Sequence, residues 1–325
     1  MIRERLVELA RQAFRRLGYE VRDREHAALE RVLDAAMVDW VRRDFSIGDA
    51  PRIGLGVIFS KDRALQLHAL LQSWFAQVEG AAKLVVLWTA SSEHEASYME
   101  LRTLWAGKVE WVREQDFRAD LLRVLEKSGE THLFFVTDDA LVIDGFRMDE
   151  ALAEEPRHRI VSLCHAPALD WCFIADKAQK VPPLQTHAPG RLRWNWADGE
   201  ERMDWRFPLS IDGKFFAREE MLLLLSHLPF RSPNTLEVNL QVFLPLFIGR
   251  EGVCFEQAKL VNVPCNAVQT QYDNLVTGAH TTEELLVRWQ AGERIRWESH
   301  VGLAPAEAER KDFGFVPERH RKENS

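Results

Sequence analysis

Short apolar runs alternate with amphipathic helical patterns through the first half of the chain. Four such runs, which begin 22 to 30 residues apart, are Ile53–Phe59, Lys83–Thr89, Val109–Arg113 and Thr131–Thr137. Nearly continuous apolar runs of this length are typical of strands that are buried on both faces, as in a parallel sheet. Helical spacing between the runs indicates right-handed βαβ units. The pattern therefore predicts an α/β fold with an open, mostly parallel sheet and helices on both faces.

Three helices are predicted between these strands. Asp62–Val78 carries its leucines and Trp74 on one face. Ser92 and Glu95 have the spacing of a capping-box pair that opens a helix ending near Trp105. The third helix has Asp116 as its cap and stops near Gly129.

The second half of the chain is less regular. Its predicted strands are Arg159–Cys164, Pro208–Ile211 and Lys259–Val263. Its predicted helices are Arg218–His227, Leu236–Phe247 and Thr282–Gln290, the last opened by the capping pair Thr281 and Glu284.

The two ends of the chain differ from its middle. Residues 1–45 show two amphipathic helical patterns, one from Leu6 to a stop at Gly18 and one from Leu29 to Val41. The residues from Ala306 onward are strongly charged. We therefore expect an N-terminal helical extension at 1–50, an α/β domain at 51–305 and a flexible tail at 306–325. The N-terminal helices could pack on the domain, bind a partner or form an oligomer.

Composition narrows the range of functions. The 325 residues include 50 acidic and 42 basic side chains, giving a net charge of −8, which argues against a general nucleic-acid binder. No apolar run reaches the roughly 18 to 20 residues of a membrane span, and the N-terminus does not read as a secretory signal. The four cysteines form no CxxC pair. Together these features predict a cytoplasmic protein without a transmembrane segment.

Two adjacent carboxylates follow the most apolar strand. Asp138 and Asp139 come directly after Thr131–Thr137, at the strand end where open parallel sheets bind ligands. Hard oxygen ligands suit Mg²⁺ or Mn²⁺, with a diphosphate completing the coordination. Alternatively, the two aspartates only cap the following turn.

Other polar residues fall at the same predicted sheet edge. Ser60 or Asp62 could cap the helix after the first strand, and Arg63 in its first turn could reach a phosphate or a base. Asp116 and Arg118 open the third helix and could contact the nucleoside, although capping alone would also explain Asp116.

A dinucleotide fingerprint is disfavoured. Gly54 and Gly56 lie inside the first strand rather than after it, and no acidic residue ends the second strand. No metal-protease spacing of histidines and no GxSxG pattern is present.

The later half supplies two candidate catalytic carboxylates. Asp212 follows a predicted strand, where it could line an acceptor site or belong to a plain turn. Glu237 is expected in the first turn of a helix, where it could act as a general base or only as a capping residue. The loop tryptophans Trp194, Trp196 and Trp205 could form a sugar-stacking platform or pack the loop onto the sheet.

These segments resemble a known family. VIFSKDRALQLHALLQSW, KLVVLWTAS and HLFFVTDDALVI are similar to the nucleotide-binding half of GT-A glycosyltransferases, and TDDA resembles their DxD-type motif. DWRFPLSIDGKFF, SPNTLEVNL and VNVPCNAVQTQYDN look like those of bacterial putative glycosyltransferases. The resemblance covers roughly residues 53–290. In this chain Thr137 precedes the acidic pair and Ala140 follows it, whereas the usual motif has a spacer between acidic residues.

The resemblance implies a GT-A-like fold and a metal-dependent, hexosyltransferase-like enzyme. It implies a nucleotide-sugar donor, a hydroxyl acceptor such as a growing glycan or polysaccharide, and Mn²⁺ or Mg²⁺ at Asp138 and Asp139. Glu237 is its best match for a base. The Ala140 departure keeps open a non-catalytic nucleotide-sugar binding protein. A metal-dependent nucleotidyltransferase or phosphohydrolase is a third hypothesis.

Overall fold

The computed structural model describes residues 24–266, 268, 276–278 and 280–317. The predicted helix between Leu6 and Gly18 lies outside these residues, as does the end of the predicted tail from residue 318. The second predicted N-terminal helix is present as α1, Arg24–Trp40.

The described chain contains seventeen strands and ten α-helices. The strands are β1 Gly54–Lys61, β2 Val78–Glu79, β3 Ala82–Thr89, β4 Glu110–Arg113, β5 His132–Thr137, β6 Ala140–Val142, β7 Phe146–Arg147, β8 Arg159–Val161, β9 Trp171–Cys172, β10 Lys177–Ala178, β11 Gln185–Ala188, β12 Arg191–Asn195, β13 Phe215–Ala217, β14 Glu251–Phe255, β15 Leu260–Asn262, β16 Glu293–Ile295 and β17 Phe315–Pro317. The remaining helices are α2 Ala64–Gln77, α3 Glu95–Leu104, α4 Phe117–Lys127, α5 Met148–Ala151, α6 Arg218–His227, α7 Pro233–Leu240, α8 Leu244–Phe247, α9 Thr282–Gln290 and α10 Pro305–Arg310.

The central sheet confirms the predicted α/β fold. Within the described residues its strand order is β13-β5-β1-β3-β4. Strands β1, β3, β4 and β5 are parallel, and β13 pairs with β5 in the antiparallel direction. The chain leaves β1 toward β3 and β4 and then returns to β5 on the other side of β1. The topological switch point therefore lies between β1 and β5.

Both faces of this sheet are covered, as predicted. Along β1, Ile58 joins a core cluster with α2, whereas Val57 and Phe59 join a second cluster with α4 and α6. Alternate side chains of a strand point to opposite faces, so β1 contributes to both cores. A second sheet, of order β11-β12-β14-β8 in the described residues, lies in the later half of the chain.

The glycine at position 56 has a packing role in the strand. A Cβ atom at Gly56 would lie 2.5 Å from the Phe134 ring and 2.7 Å from Leu84. The ring of Phe134 stacks on Trp74 of α2 at 5.4 Å. The glycine thus makes room for the contact between sheet and helix, in agreement with the rejection of a dinucleotide loop.

One predicted helix cap and one predicted strand are wrong, although the helix that was expected to end near Trp105 is present. Ser92 and Glu95 form no capping box, because α3 starts at Glu95 with His94 as its N-cap and without a side-chain cap. Pro208–Ile211 is not a strand, because the Ile211 backbone N–H donates to the side chain of Glu237 instead of to a neighbouring strand.

Other boundaries differ more modestly. The predicted helix Leu236–Phe247 is split into α7, a 3-10 turn and α8, and Pro245 in the first turn of α8 cannot donate to the preceding turn. The predicted strand Arg159–Cys164 ends at Val161, after which Ser162 forms a single bridge with Lys214. Helices α6 and α9 have the predicted bounds, and Thr281 and Glu284 form the predicted capping box.

The start of the predicted tail is folded. Helix α10 covers 305–310, and both Ala308 and Phe313 are buried in a core cluster. The flexible-tail prediction is therefore wrong for 306–317, while the division into domains stays a prediction. Among the described residues, none of the helices has the length and apolar character needed to cross a membrane.

Candidate active site

A cleft of about 840 Å³ opens at the switch point of the central sheet. The ends of β1 and β5 line it together with the segments around residues 204–214 and 231–237. The predicted site residues that line it are Ser60, Arg63, Asp138, Asp139, Asp212 and Glu237. The position agrees with the rule that open α/β sheets bind ligands at the carboxyl ends of their strands.

Asp138 lies beneath the surface of this cleft, with 3% of the residue exposed. Its Oδ2 accepts hydrogen bonds from the Ser60 hydroxyl at 2.8 Å and from the Lys61 backbone N–H at 3.2 Å. Its Oδ1 lies 3.0 Å from Nη1 of Arg63. Burial raises the pKa of Asp138 to about 6, although Arg63 acts in the opposite direction. Asp138 is thus held by both of its oxygens.

Arg63 connects both aspartates to Asn266. Nη1 also lies 3.0 Å from Oδ2 of Asp139, while Nε donates to Oδ1 of Asn266 at 2.8 Å. Burial alone would lower the pKa of Arg63, but the charges of Asp139 and Asp138 outweigh it and raise the pKa. The fixed cation therefore neutralises part of the negative charge of the acidic pair.

The backbone between β1 and α2 is strained at the cleft. Asp62 has a φ of 55°, in the left-handed region that non-glycine residues seldom occupy. Its Oδ1 accepts a hydrogen bond from the Ser91 backbone N–H at 2.7 Å. Neither Ser60 nor Asp62 caps α2, whose N-cap residue is Arg63 without a side-chain cap, so the predicted capping is wrong. Asp62 instead ties the loops after β1 and β3 together.

Asp212 and Glu237 also line the cleft. Asp212 Oδ1 accepts from Nδ2 of Asn262 at 2.8 Å, and Glu237 Oε1 accepts from the Ile211 backbone N–H at 3.2 Å. Burial raises the pKa of Glu237 to about 8, and the charge of Asp212 adds to this effect. Helix α7 begins at Pro233, so Glu237 lies in its second turn rather than in the predicted first turn.

Lys214 also lines the cleft and escaped the sequence analysis. It lies in the SIDGKFF segment, two residues after Asp212, with 4% of the residue exposed. Glu309 of α10 is a second such residue, and burial raises its pKa to about 8. A charged residue directly before the apolar pair Phe215–Phe216 was the available signal for Lys214; Glu309 had none, since its segment is charged throughout.

The structure does not bring Asp116 and Arg118 to the cleft lining. Asp116 caps α4 by accepting from the Ala119 backbone N–H at 2.8 Å. Arg118 donates to the carbonyl oxygens of Leu228 at 2.9 Å and Ser226 at 2.6 Å, at the end of α6. Their predicted nucleotide contacts are therefore replaced by capping roles.

The three loop tryptophans are buried in the protein and are not exposed at its surface. Trp194, Trp196 and Trp205 are at most 3% exposed. Their rings contact each other and His165, with Trp194 stacked on His165 at 5.1 Å. The packing alternative is correct, and a sugar-stacking platform of these rings is excluded.

Of the acidic pair, Asp139 is the residue that could bind a divalent cation. Both oxygens of Asp138 are engaged by protein donors, whereas Oδ1 of Asp139 has no hydrogen-bond partner among the described residues. In that same part of the chain no group of three or more His, Cys, Asp or Glu side chains could hold a metal alone. A single open carboxylate suits Mg²⁺ or Mn²⁺ only when substrate oxygens complete the coordination.

Comparison with known proteins adds an independent observation. The chain is 25% identical over 174 residues to the bifunctional glycosyltransferase pgtA of Dictyostelium discoideum. The chain is similar to a glycosyltransferase. The resemblance predicted from the sequence motifs is thus confirmed. The match covers 48% of this chain and 22% of the relative, so the chain spans about a fifth of that protein's length. No family model matches the chain.

Solved structures show weaker similarity. TarS 1-349 of S. aureus in complex with UDP-GlcNAc has a TM-score of 0.45 at 11% identity, covering 71% of this chain and 62% of TarS 1-349. GalNAc-T7 with UDP, GalNAc and Mn²⁺ has a TM-score of 0.44 at 12% identity, covering 82% and 52%. A nucleotidyl transferase from Methanothermobacter thermautotroptrophicus has a TM-score of 0.38 at 12% identity, covering 64% and 89%. All three scores are below 0.5, so the fold assignment rests on the strand order described above.

Proposed function

We propose that this protein is a glycosyltransferase that moves a sugar from a nucleoside-diphosphate donor to an acceptor hydroxyl. The observation that carries the proposal is the cleft at the β1–β5 switch point. This cleft is lined by a buried Asp138–Arg63 ion pair with Asp139 beside it, and by the carboxylates Asp212 and Glu237. The glycosyltransferase relative supports the same activity.

In this proposal the part of the cleft formed by the ends of β1 and β5, which we call the donor wall, binds the donor. Asp139 is the residue that would hold a divalent cation, Mn²⁺ or Mg²⁺. The cation supplies charge neutralisation for the departing nucleoside diphosphate. Asp138 has a positioning role, because it fixes Ser60, Lys61 and Arg63 beside Asp139.

Glu237 is the general base of the proposed reaction. Its carboxylate takes the proton of the acceptor hydroxyl while the acceptor oxygen bonds to the anomeric carbon. The bond from that carbon to the diphosphate breaks, and the diphosphate leaves with the electron pair. This direct displacement inverts the anomeric centre. Asp212, which accepts a hydrogen bond from Asn262, lines the part of the cleft beside Glu237 where the acceptor would bind, which we call the acceptor side.

A donor screen followed by product analysis tests the activity. Thermal shifts with UDP- and GDP-sugars, each with Mn²⁺ or Mg²⁺, identify the donor that stabilises the fold. Donor turnover with a panel of hydroxyl acceptors should then release a nucleoside diphosphate. Release of pyrophosphate would instead show nucleotidyl transfer, and release of inorganic phosphate would show phosphohydrolysis.

A non-catalytic nucleotide-sugar binding protein is the second candidate. It is favoured by the engagement of both Asp138 oxygens and by Ala140, which is fully buried at the start of β6 where it can bind no ligand. Metal-dependent binding of a nucleotide sugar without turnover for any acceptor would support it over the enzyme.

A further inference from the structure

Lys214 is the buried cation of the acceptor side of the cleft. Its backbone is pinned next to β13 because Ser162 bridges to it. The preceding Gly213 donates its N–H to the Phe135 carbonyl at 2.8 Å and accepts from the Leu163 N–H at 2.9 Å. Gly213 has a φ of 59°, and a Cβ there would lie 2.8 Å from Leu260. The start of the Lys214 side chain is therefore fixed by the sheet.

The ammonium group is directed into the cleft by neutral contacts. Nζ donates to the Ser210 hydroxyl at 2.6 Å. It lies 5.7 Å from the Trp196 ring centroid and 5.9 Å from that of Phe207. Among the described residues, no carboxylate lies within ion-pair distance of Lys214. Its charge therefore acts on the carboxylates of the cleft at longer range and not through a direct salt bridge.

Four carboxylates line this side of the cleft. They belong to Asp204, Asp212, Glu237 and Glu309. Glu237 is influenced by Asp212 and Asp204, which raise its pKa, and by Lys214, which lowers it. Burial lowers the pKa of Lys214, whereas Asp212, Glu237 and Asp204 raise it.

The other cations of the cleft lie elsewhere. Arg63 is bound to Asp138, Asp139 and Asn266 on the donor wall. Lys61 continues from β1 on that same wall, and Arg231 precedes the cap of α7 with an exposed side chain. Among the described cations that line the cleft, Lys214 is thus the buried one whose charge acts on Glu237.

We propose that Lys214 is a positioning residue for the proposed transfer: a buried cation that stabilises negative charge on the acceptor side and keeps Glu237 able to take a proton. The proposal deepens the proposed function and rests on it for the role of Glu237. Without Lys214, the two neighbouring carboxylates Asp212 and Asp204 and a buried environment would favour the protonated, inactive form of Glu237.

The variants K214M, K214Q and K214R test this role. Methionine and glutamine remove the charge and keep much of the volume, so that one of them serves if the other fails to fold. Arginine keeps a permanent charge. S210A is the matched control, because it removes the hydrogen bond to Nζ and leaves the charge in place.

The first readout is independent of turnover. Carboxyl ¹³C NMR of labelled glutamate follows the titration of Glu237, whose signal is the one absent from E237Q. The wild type should titrate at about 8. K214M or K214Q should raise this pKa by about one unit or more, the usual effect of a neighbouring opposite charge. K214R and S210A should leave it near the wild-type value.

The second readout is the pH profile of kcat. In K214M the rising limb should move to higher pH by the same interval as the NMR titration, and K214R should restore its position. A residue with only a structural role would lower kcat at all pH values without moving the limb.

Two results would overturn the proposal. One is an unchanged Glu237 titration in K214M and K214Q. The other is a fall of the Glu237 pKa in K214R, which would show that Lys214 is uncharged in the wild type. If Glu237 shifts as expected but the wild type transfers no sugar, the proposed function fails while the electrostatic coupling of Lys214 and Glu237 stands.

Discussion

Arg63 and Asp138 form an ion pair inside the protein, with Nη1 of Arg63 3.0 Å from Oδ1 of Asp138 and the two side chains 8% and 4% exposed. Sequence neighbours do not create this contact, because the residues come from the ends of different strands. Their meeting follows from the parallel pairing of β1 with β5, in which Phe59 lies opposite Thr137. The donor wall of the cleft is thus built around a buried charge pair.

Removing the cation of this pair should destabilise the fold strongly. In R63M, Asp138 and the adjacent Asp139 lose their shared counter-charge. We expect the free energy of unfolding, measured by urea titration, to fall by about 3–5 kcal/mol, as for other buried pairs that lose one partner. The matched control is R147M, which breaks the Arg147–Asp149 pair with side chains 60% and 65% exposed. R147M should leave the free energy of unfolding unchanged. An equal loss of unfolding free energy in R63M and R147M would contradict the account.

The residues that cap helices should affect stability without affecting the donor. D116A removes the N-cap of α4 and should cost about 1 kcal/mol of unfolding free energy. R118M removes the hydrogen bonds to the end of α6 and should also lower the melting temperature. Neither residue lines the cleft, so the Kd for the donor nucleotide should stay at the wild-type value in both. A weakened Kd in a folded R118M variant would restore the nucleotide contact predicted from sequence.

Activity should rise with pH through about 8. Glu237 has a pKa of about 8 because of burial, and only its ionised form can accept a proton. The kcat profile should therefore increase up to about this pH and then level off. E237Q should reduce kcat by roughly 10²- to 10⁴-fold, the usual contribution of a general base, with little change in donor Kd. A flat profile between pH 6 and pH 9, with the chemical step rate-limiting, would remove Glu237 from this role.

The same ionisation predicts a pH dependence of stability. In the folded state Glu237 has a pKa of about 8, above the ordinary value of 4.5 that applies after unfolding. Between pH 4.5 and pH 8 the folded protein binds one proton more, on Glu237, than the unfolded protein does. The stability that this proton contributes is therefore fully present below pH 4.5 and is lost as the pH rises toward 8. E237Q should therefore flatten the decline of unfolding free energy with rising pH. Glu309, with a pKa also near 8, should leave part of the decline in place.

The repetitive first half of the chain was predictable because each of its signals is local. Continuous apolar runs gave β1, β3, β4 and β5, and their common direction placed Asp138 and Arg63 at one edge. The short segments at the cleft depend instead on contacts between distant parts of the chain. Ile211 donates to the Glu237 side chain, which removes the N–H that a strand would need.

The partners of individual polar residues were not predictable. Arg118 opens a helix on the correct edge of the sheet, but its guanidinium extends to carbonyls more than a hundred positions later in the chain. For the tryptophans of the 194–205 region the sequence left open a sugar-stacking platform or packing onto the sheet, and the structure shows that they are buried in a core. Lys214 had one local signal, a charge directly before two phenylalanines, but its burial in the same cleft as carboxylates from other segments became visible only in the structure.

Calorimetric titration of UDP and GDP, with Mn²⁺ or with a chelator, tests the central assignment of Asp139 most directly. We predict that the wild type binds one of these nucleotides only with the metal, that D139N loses at least about tenfold in affinity while keeping its melting temperature, and that the exposed control D149N binds normally. Equal affinity of wild type and D139N in the presence of Mn²⁺, or binding by the wild type that is unaffected by the chelator, would contradict the account.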